Sequence, residues 1–221
     1  MTVHPRKDSN GQSVKIKAPS AASSLAAWEQ ADDVAVVVPD GPMPPVINEI
    51  AVRRWVHVPA GTRDWESLVL PNAFDEPTFS VPSGLAPAAG VIVVEPDHRV
   101  WLVSPTNKFG GYKQTFPKGR VDAGASLPAS AIREAWEETG LQVEVLSFFM
   151  DVPRTTTYSR YYLARRLGGS PADMGWESQA VLLVPIKRLP EFLTHQSDVP
   201  LLKLETLQRA AFVVSGMTRP T

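Results

Sequence analysis

The chain has 221 residues with 22 basic and 23 acidic side chains, so its formal net charge is −1 and broad electrostatic capture of nucleic acid or anionic lipid is not expected. Hydrophobic residues make up 43% and charged residues 20%, which is typical of a globular chain that buries a core. The absence of cysteine excludes disulfides, thiolate metal sites and a catalytic thiol.

Two features of the sequence bear on its location. No run approaches the ~20 continuous apolar residues of a membrane span, so no membrane association is expected. The opening MTVHPRKDSN has no apolar segment behind its basic residues and does not resemble a secretory signal. A cytoplasmic location is therefore the expectation.

The first 86 residues divide into two predicted parts. Residues 1–22 are polar and small and predict a disordered tail. Residues 23–86 form an N-terminal elaboration, in which a short helix at 23–31 and strands at 34–38 and 50–58 are separated by prolines. Its apolar side chains must pack on something, and three roles stay open: capping a cleft, completing a sheet, or forming the interface of a homodimer.

From residue 88 the pattern of strands and helices is clearer. Two apolar strands flank a Pro-Asp turn, and a loop rich in Gly and Lys leads into a helix that Ser126 begins and Gly140 ends. Strands and helices mix without strict alternation, which predicts an α+β fold with a mixed sheet. The predicted strands are 88–94, 100–103, 143–150, 159–164 and 180–184, and the predicted helices are Leu127–Thr139, 186–193 and 201–214.

The predicted helix Leu127–Thr139 carries three carboxylates on one face. At about 100° per residue, Glu134, Glu137 and Glu138 fall together, opposite an apolar stripe. Carboxylates at this spacing repel one another unless water or a cation screens them. The helix alone fits both a solvated acidic face and a site for a hard cation such as Mg²⁺, which prefers oxygen ligands.

The loop before the helix adds a specific pattern. Phe116-Pro117-Lys118-Gly119-Arg120 combines a rigid turn, a close-approaching backbone and two cations. Read together, the segment from Gly119 to Leu141 resembles the Nudix box, a pattern of glycine, arginine and glutamate at fixed spacing. The residues at matching positions are Gly119, Arg133, Glu134, Ala135, Glu137, Glu138, Gly140 and Leu141.

This resemblance implies a fold and an activity. The fold is a Nudix-type α/β/α sandwich with a mixed sheet over residues 87–195, followed by a C-terminal helix in residues 196–221. The activity is hydrolysis of a nucleoside diphosphate-linked compound by attack of water at phosphorus. Mg²⁺ or Mn²⁺ is the implied cofactor, because a carboxylate cluster would otherwise repel a pyrophosphate.

The resemblance also assigns roles to the box residues. It implies Glu134, Glu137 and Glu138 as metal ligands, with the backbone carbonyl of Lys118 as a further ligand. Glu137 and Glu138 are expected to take part in catalysis as well, and Arg133 to orient a glutamate. Beyond the box, family members often add an acidic residue from a loop before a strand, and Glu177 stands in such a place as ligand or base.

Cations near the metals are expected to bind the phosphates. Lys113, Lys118, Arg120 and Arg154 are the candidates, although each is also an ordinary surface charge when taken alone. Tyr158 resembles the tyrosine that lies against a base in dinucleoside polyphosphate hydrolases. A dinucleoside polyphosphate such as diadenosine polyphosphate is therefore the favoured substrate among small nucleotides and polyphosphates, and nucleic acid is not.

Other readings remain open. One is an ADP-ribose or nucleotide-sugar pyrophosphatase, another is a diphosphoinositol polyphosphate hydrolase, and a third is a non-catalytic module that senses a nucleotide. The third draws support from one departure, because Ala125 stands where the box has its first glutamate, a residue that braces the loop against the helix. Asp122 is a candidate substitute that would supply charge to Arg133.

Overall fold

The computed structural model describes residues 1–70 and 74–217 of the chain, without the side chain of Met217. The predicted N-terminal elaboration and C-terminal helix are therefore described in part, because residues 71–73 and 218–221 lie outside these ranges. Within the described ranges no helix is both long and apolar enough to cross a membrane.

Strands and short helices follow one another along the whole described chain. The strands are β1 (Thr2–Lys7), β2 (Ser13–Ile16), β3 (Ala35–Val37), β4 (Val46–Ile47), β5 (Ile50–Ala51), β6 (Ala86–Val94), β7 (Arg99–Pro105), β8 (Lys118–Arg120), β9 (Leu141–Pro153), β10 (Thr157–Gly169) and β11 (Ser178–Pro185). The helices are α1 (Thr62–Glu66), α2 (Leu127–Thr139), α3 (Leu189–Phe192) and α4 (Leu204–Met217). Single turns of 3-10 helix include Leu25–Trp28 and Ile186–Arg188.

A mixed sheet of seven strands forms the centre of the described structure. Its order is β3-β11-β7-β6-β10-β9, with β8 paired to β6 off this path. The strands β6 and β10 run parallel and the other neighbours are antiparallel.

Helices cover both faces of this sheet. Because side chains alternate along a strand, Val91 and Val93 of β6 join the core under α2, whereas Ile92 and Val94 join a second core with α3 and α4. The α/β/α sandwich with a mixed sheet is therefore confirmed.

The N-terminal elaboration packs on the sheet and extends it. Its strand β3 pairs with β11 at the sheet edge, so the elaboration completes the sheet. The rings of Trp28 and Trp101 lie 5.9 Å apart. The buried Arg99 guanidinium donates to the carbonyl oxygens of Ala27 and Trp28 at 3.1 and 2.7 Å. The start of the elaboration is thus tied to β7 by both apolar and polar contacts.

A buried ion pair makes the second connection. The Arg166 Nε atom lies 2.6 Å from Glu95 Oε1, and both side chains are 1% exposed. Glu95 also accepts from Trp101 Nε1 at 2.8 Å and from Asn48 Nδ2 at 2.9 Å, while Arg166 donates to the Ile47 carbonyl at 2.7 Å. Strands of the sheet and the β4–β5 turn therefore share one polar network.

Two predictions for the N-terminal half are wrong. Residues 1–22 were expected to be disordered, but β1 and β2 form an antiparallel hairpin with His4 and Ile16 buried. The hairpin is held by distant residues, since Asn107 accepts from the Lys17 N–H at 2.8 Å and Gln179 donates to the Ala18 carbonyl at 2.9 Å. The predicted strand 50–58 is too long, because the observed strand β5 covers Ile50–Ala51 and pairs with the adjacent β4.

Candidate active site

The helix α2 forms where the sequence predicts it, over Leu127–Thr139. The Ser126 side chain accepts a hydrogen bond from the Ala129 N–H and so caps the first turn. Gly140 ends the helix in the left-handed region, with φ of 70°, where a Cβ atom would also lie 2.2 Å from the Ser170 carbonyl oxygen. Both signals that the sequence offers for this helix are confirmed.

Three carboxylates converge at the solvent-facing end of the site. Glu134 and Glu138 come from α2 and are buried, whereas Glu177 comes from the segment just before β11 and is exposed. One carboxylate oxygen from each lies within 4.8 Å of the others. We call these three residues the carboxylate cluster. The predicted partnership of Glu177 with the helix glutamates is present in the geometry.

Strand β8 fixes the cluster from beneath. The Lys118 backbone N–H donates to Glu138 Oε2 at 2.9 Å. A Cβ atom on Gly119 would lie 2.2 Å from the Glu134 carboxylate, so any larger residue there would displace this carboxylate from its place in the cluster. This contact gives a physical reason for the glycine that begins the box.

Arg133 lies between the cluster and the loop. Its guanidinium contacts Glu134 Oε1 at 2.8 Å and Glu137 Oε2 at 2.5 Å, and it donates to the Arg120 carbonyl at 3.1 Å. Asp122 Oδ2 lies 3.5 Å away. Glu137 is paired with Arg133 and is not a member of the carboxylate cluster, whereas Glu177, predicted as ligand or base, is a member. The role of the Lys118 backbone carbonyl as a further ligand stays a prediction.

Burial and mutual repulsion raise the pKa of all three cluster carboxylates. The pKa of Glu134 rises to about 9, chiefly through burial and then through Glu138. Burial likewise raises the pKa of Glu138 to about 7, although Lys118 opposes the shift. The pKa of Glu177 is raised by partial desolvation of its carboxyl group and by the charge of Glu137. Arg133 and Lys118 oppose these shifts but compensate the negative charge only in part.

A hard divalent cation fits this donor set. Carboxylate oxygens are the ligands that Mg²⁺ and Mn²⁺ take in proteins, and three oxygens within 4.8 Å of one another suit a shared ion. A cation would also lower these raised pKa values, because it favours the charged form of the carboxylates. The residues that would hold it are Glu134, Glu138 and Glu177.

The predicted phosphate-binding residues are dispersed. The ammonium group of Lys118 lies 5.2 Å from the centre of the Tyr112 ring, close to Glu138. Lys113 is exposed on the loop before β8, and Arg120 is exposed at the last position of β8. Of the four predicted cations, Lys118 therefore has the clearest connection to the cluster.

Arg154 takes part in a buried polar network. Its guanidinium is buried and donates to Tyr112 Oη at 2.9 Å, Tyr161 Oη at 2.6 Å and Asp198 Oδ1 at 2.6 Å. These contacts join the residue after β9 to the loop before β8, to β10 and to the segment before α4. The predicted contact of Arg154 with phosphate stays a prediction.

Tyr158 is also engaged in packing. Its half-buried ring stacks on Phe79, with the ring centres 5.3 Å apart and the planes 23° from parallel. It lies at the start of β10, opposite Pro87 and Pro153. Contact with a base would require the ring to leave Phe79 or to use its other face, and the predicted role stays untested.

One residue at the site was missed entirely by sequence reasoning. Glu66, the last residue of α1, accepts from the Ser126 N–H at 2.6 Å and from Ser126 Oγ at 2.8 Å. It therefore places a carboxylate at the N-terminus of α2, one residue from Ala125. A positive helix end favours such a charge. Nothing local in the sequence marks Glu66, because its partner is 60 residues away.

Comparison with known proteins matches the part of the chain that contains this site. A family model described as NUDIX domain matches residues 84–204. A protein of Mycobacterium tuberculosis named mutator protein MutT4 is 32% identical over 105 residues, which are 44% of this chain and 42% of that protein. The RNA pyrophosphohydrolase of Caulobacter vibrioides is 36% identical over 95 residues, or 42% of this chain and 52% of that protein.

The chain thus spans about half the length of the curated relatives it matches. Among solved structures, a NUDIX hydrolase from Nitrosomonas europaea is similar, with a TM-score of 0.49 and 21% identity over 58% of this chain and 74% of that one. The family match extends from just before β6 to the first residue of α4.

Proposed function

The chain belongs to the NUDIX family, and from this premise we propose that it is a Mg²⁺- or Mn²⁺-dependent pyrophosphohydrolase of a nucleoside diphosphate-linked compound. Water attacks one phosphorus atom, the bond from that phosphorus to the bridging oxygen breaks, and two products ending in phosphate leave. The observation that carries the proposal is the carboxylate cluster, whose oxygens lie within 4.8 Å of one another on the box helix and the loop before β11.

The carboxylate cluster would hold the metal through Glu134, Glu138 and Glu177. A divalent cation bound there supplies positive charge that offsets the charge of the phosphate oxygens during the reaction. The Lys118 N–H fixes the rotamer of Glu138 by its hydrogen bond of 2.9 Å. The Lys118 ammonium group adds a cation on the same side and is the first candidate for a phosphate contact.

Glu177 is the proposed acceptor of the proton from the attacking water. It is the exposed member of the carboxylate cluster, and its raised pKa makes it a better proton acceptor than an ordinary carboxylate. Arg133 orients Glu134 and Glu137 through contacts of 2.8 and 2.5 Å. Glu137 in turn is held beside the cluster as a further candidate ligand.

Glu66 is the proposed structural replacement for the missing box glutamate. Ala125 has no carboxylate, but Glu66 binds the neighbouring Ser126 by two hydrogen bonds. Asp122 supplies the additional negative charge near Arg133 at 3.5 Å. These two contacts support a complete site and oppose the alternative of a non-catalytic sensing module.

The favoured substrate is a small dinucleoside polyphosphate such as diadenosine polyphosphate. The Pro-Lys-Gly form of the loop before the helix supports this choice through its resemblance to diadenosine polyphosphate hydrolases, although it resembles diphosphoinositol polyphosphate hydrolases as well. A second candidate is a pyrophosphate on RNA, which is favoured by the similarity to the Caulobacter vibrioides RNA pyrophosphohydrolase. Comparing the two requires direct measurement with both substrates.

A hydrolysis screen tests the proposed function. Purified protein with Mg²⁺ or Mn²⁺ would be given dinucleoside polyphosphates, ADP-ribose, nucleotide sugars, inositol pyrophosphates and 5′-triphosphate RNA, and the products identified. We expect Glu138→Gln to lower kcat roughly 100- to 1000-fold, since a buried ligand loses its charge. The matched control is Glu205→Gln, a mostly exposed residue on α4. Full hydrolysis by Glu138→Gln would overturn the proposal.

Glu177→Gln tests the proton acceptor separately. We expect turnover to fall about tenfold or more, because the amide retains the shape of the side chain but accepts no proton at neutral pH. The pH profile of kcat should also lose its acidic limb in this variant. An unchanged rate would remove Glu177 from the site.

A further inference from the structure

A cavity of about 620 Å³ opens between the N-terminal hairpin and the box helix. Its volume lies in the range of sites for small molecules, roughly 300–1,000 Å³. We call it the hairpin cavity. The residues that line it and enter the argument are Lys7, Arg54, Trp55, Trp136, Trp176 and Glu177.

The hairpin cavity is continuous with the carboxylate cluster. Glu177 belongs to both, and Arg133 and Glu137, which adjoin Glu134, also line the cavity. A ligand that fills the cavity therefore ends beside the cluster. This continuity connects the hairpin, which lies outside the family match, to the reaction centre.

The hairpin wall of the cavity is fixed in place. The buried His4 ring lies 3.0 Å from the Ser178 carbonyl through Nε2, directly after Glu177. Its Nδ1 atom accepts from the Arg6 N–H at 3.0 Å, so Nε2 carries the hydrogen and donates. The hairpin is thereby held next to the loop that contributes Glu177.

Three indole rings supply flat apolar surface to the cavity. Trp55, Trp136 and Trp176 are all half-buried. Trp65 supports two of them from behind, since its ring centre lies 5.7 Å from Trp55 and 5.9 Å from Trp136. Half-buried indoles on a rigid support are suited to stacking against a nucleobase.

Cations also line the cavity. Asp173 holds Arg54 at 2.8 Å and Arg6 at 3.2 Å, which positions both guanidinium groups at the cavity. Lys7 is exposed, and in the described part of the chain its ammonium group has no ion-pair partner. Lys7 is thus available to a ligand oxygen without breaking a contact.

We propose that the hairpin cavity binds the nucleoside end of a nucleotide substrate, with the base against the indole rings and phosphate oxygens near Lys7 and Arg54. The assignment rests on the proposed function, because the pyrophosphate must extend from the cavity to the carboxylate cluster. It gives the N-terminal hairpin a role in substrate recognition. The class of ligand is a nucleoside di- or polyphosphate, and inorganic phosphates alone lack the aromatic part.

The test uses α,β-methylene-ADP as a probe, in the presence of Mg²⁺. The protein cannot hydrolyse this probe between its two phosphorus atoms, because a methylene group replaces the bridging oxygen. Binding is measured by calorimetry and by quenching of tryptophan fluorescence. Adenosine and methylenediphosphonate serve as the two halves of the probe. We expect the complete probe to bind more tightly than either half and to quench fluorescence.

Three variants and one control separate the cavity from general effects. Lys7→Glu reverses a charge that makes no described contact, and we expect it to weaken probe binding about tenfold. Lys203→Glu, on an exposed residue before α4, is the matched charge reversal and should leave binding unchanged. Trp176→Leu should weaken binding roughly tenfold through loss of a stacking surface, and Trp176→Phe should restore most of it.

The outcomes distinguish the two proposals. The assignment of the cavity would be overturned if Lys7→Glu and Trp176→Leu bound the probe as tightly as Lys203→Glu does. This holds even if hydrolysis proceeds. Probe binding that depends on Lys7 and Trp176, with no hydrolysis of any compound in the screen, would overturn the proposed function and retain the cavity as a nucleotide site. Melting temperatures of the variants confirm that each is folded.

Discussion

The NUDIX domain and the N-terminal elaboration are built in different ways. In the domain, long elements carry their own signals, as α2 does between Ser126 and Gly140. In the elaboration, short strands and a 3-10 turn depend on partners elsewhere. Trp28 of the turn packs on Trp101, and the carbonyl of Ile47 in β4 accepts from Arg166. The elaboration is therefore organised by the domain, and in return it supplies Glu66 to the box helix and one wall to the hairpin cavity.

The largest effect should come from breaking the polar network that joins the two regions. We expect Arg166→Leu to lower the free energy of unfolding by about 3–5 kcal/mol, because Glu95 would remain buried without its cation. Urea denaturation measures the change. Arg188→Leu, which removes a partly exposed ion pair with Glu191, is the control and should give no measurable shift. Equal stability of both variants would contradict a connecting role for the network.

The carboxylate cluster should give the domain a distinctive pH dependence. Glu134 and Glu138 have a raised pKa in the folded protein, so the folded state retains protons that the unfolded state has lost. Their contribution to stability is present below the unfolded pKa of 4.5 and is lost as pH rises through the folded values. We expect metal-free protein to lose about 1–2 kcal/mol of stability between pH 7 and 9.

Mg²⁺ provides the control for this pH dependence. The cation favours the charged carboxylates, so its stabilising effect on the melting temperature should grow from pH 7 to pH 9. In Glu134→Gln the loss of stability with pH should become smaller. A metal-free protein whose stability is constant between pH 7 and 9 would show that the cluster is already compensated.

Glu66 connects the two regions at the site itself. We expect Glu66→Gln to lower kcat roughly tenfold and the free energy of unfolding by about 1 kcal/mol, because the N-terminus of α2 loses a charged acceptor. Glu66→Asp should recover less than half of the effect, since its shorter side chain cannot span both contacts without movement. Mg²⁺ affinity should change less than kcat if Glu66 acts by positioning α2. Glu29→Gln, on an exposed residue of the elaboration, is the control.

The sequence predicts the domain well for physical reasons that are local. The cap of α2 lies one residue before the helix, and the three glutamates follow from helical spacing. Glu177 is predictable only through the resemblance, because it reaches the carboxylate cluster from a separate loop. The prediction for residues 1–22 is wrong, because it rests on the rule that a polar segment has too few apolar side chains to fold alone. The segment folds against the domain instead, through residues such as Asn107 and Gln179.

The hairpin should have a pH dependence of opposite sign to that of the cluster. Burial lowers the pKa of His4, and the neutral ring accepts from the Arg6 N–H while it donates to the Ser178 carbonyl. Its contribution to stability is present above the unfolded pKa of 6.5 and is lost as pH falls through the lower folded value. We expect proteolytic cleavage within residues 1–22 to increase below about pH 6. His4→Gln, which cannot be protonated, should remove this increase.

The smallest effect is expected where the domain itself departs from the box. Ala125→Glu restores the first glutamate of the pattern, and a site that lacked this charge would gain activity. In the structure the contact to the loop is already made by Glu66, with Asp122 3.5 Å from Arg133. We therefore expect kcat to change less than about threefold.

The decisive comparison is the double variant. If Glu66 replaces the box glutamate, Ala125→Glu should raise kcat when Glu66 is glutamine and have little effect when Glu66 is present. Such non-additivity is the signature of two residues that serve one contact. Additive effects would show that the two positions act independently. The elaboration would then contribute to the hairpin cavity and to stability, and the box helix would be braced within the domain alone.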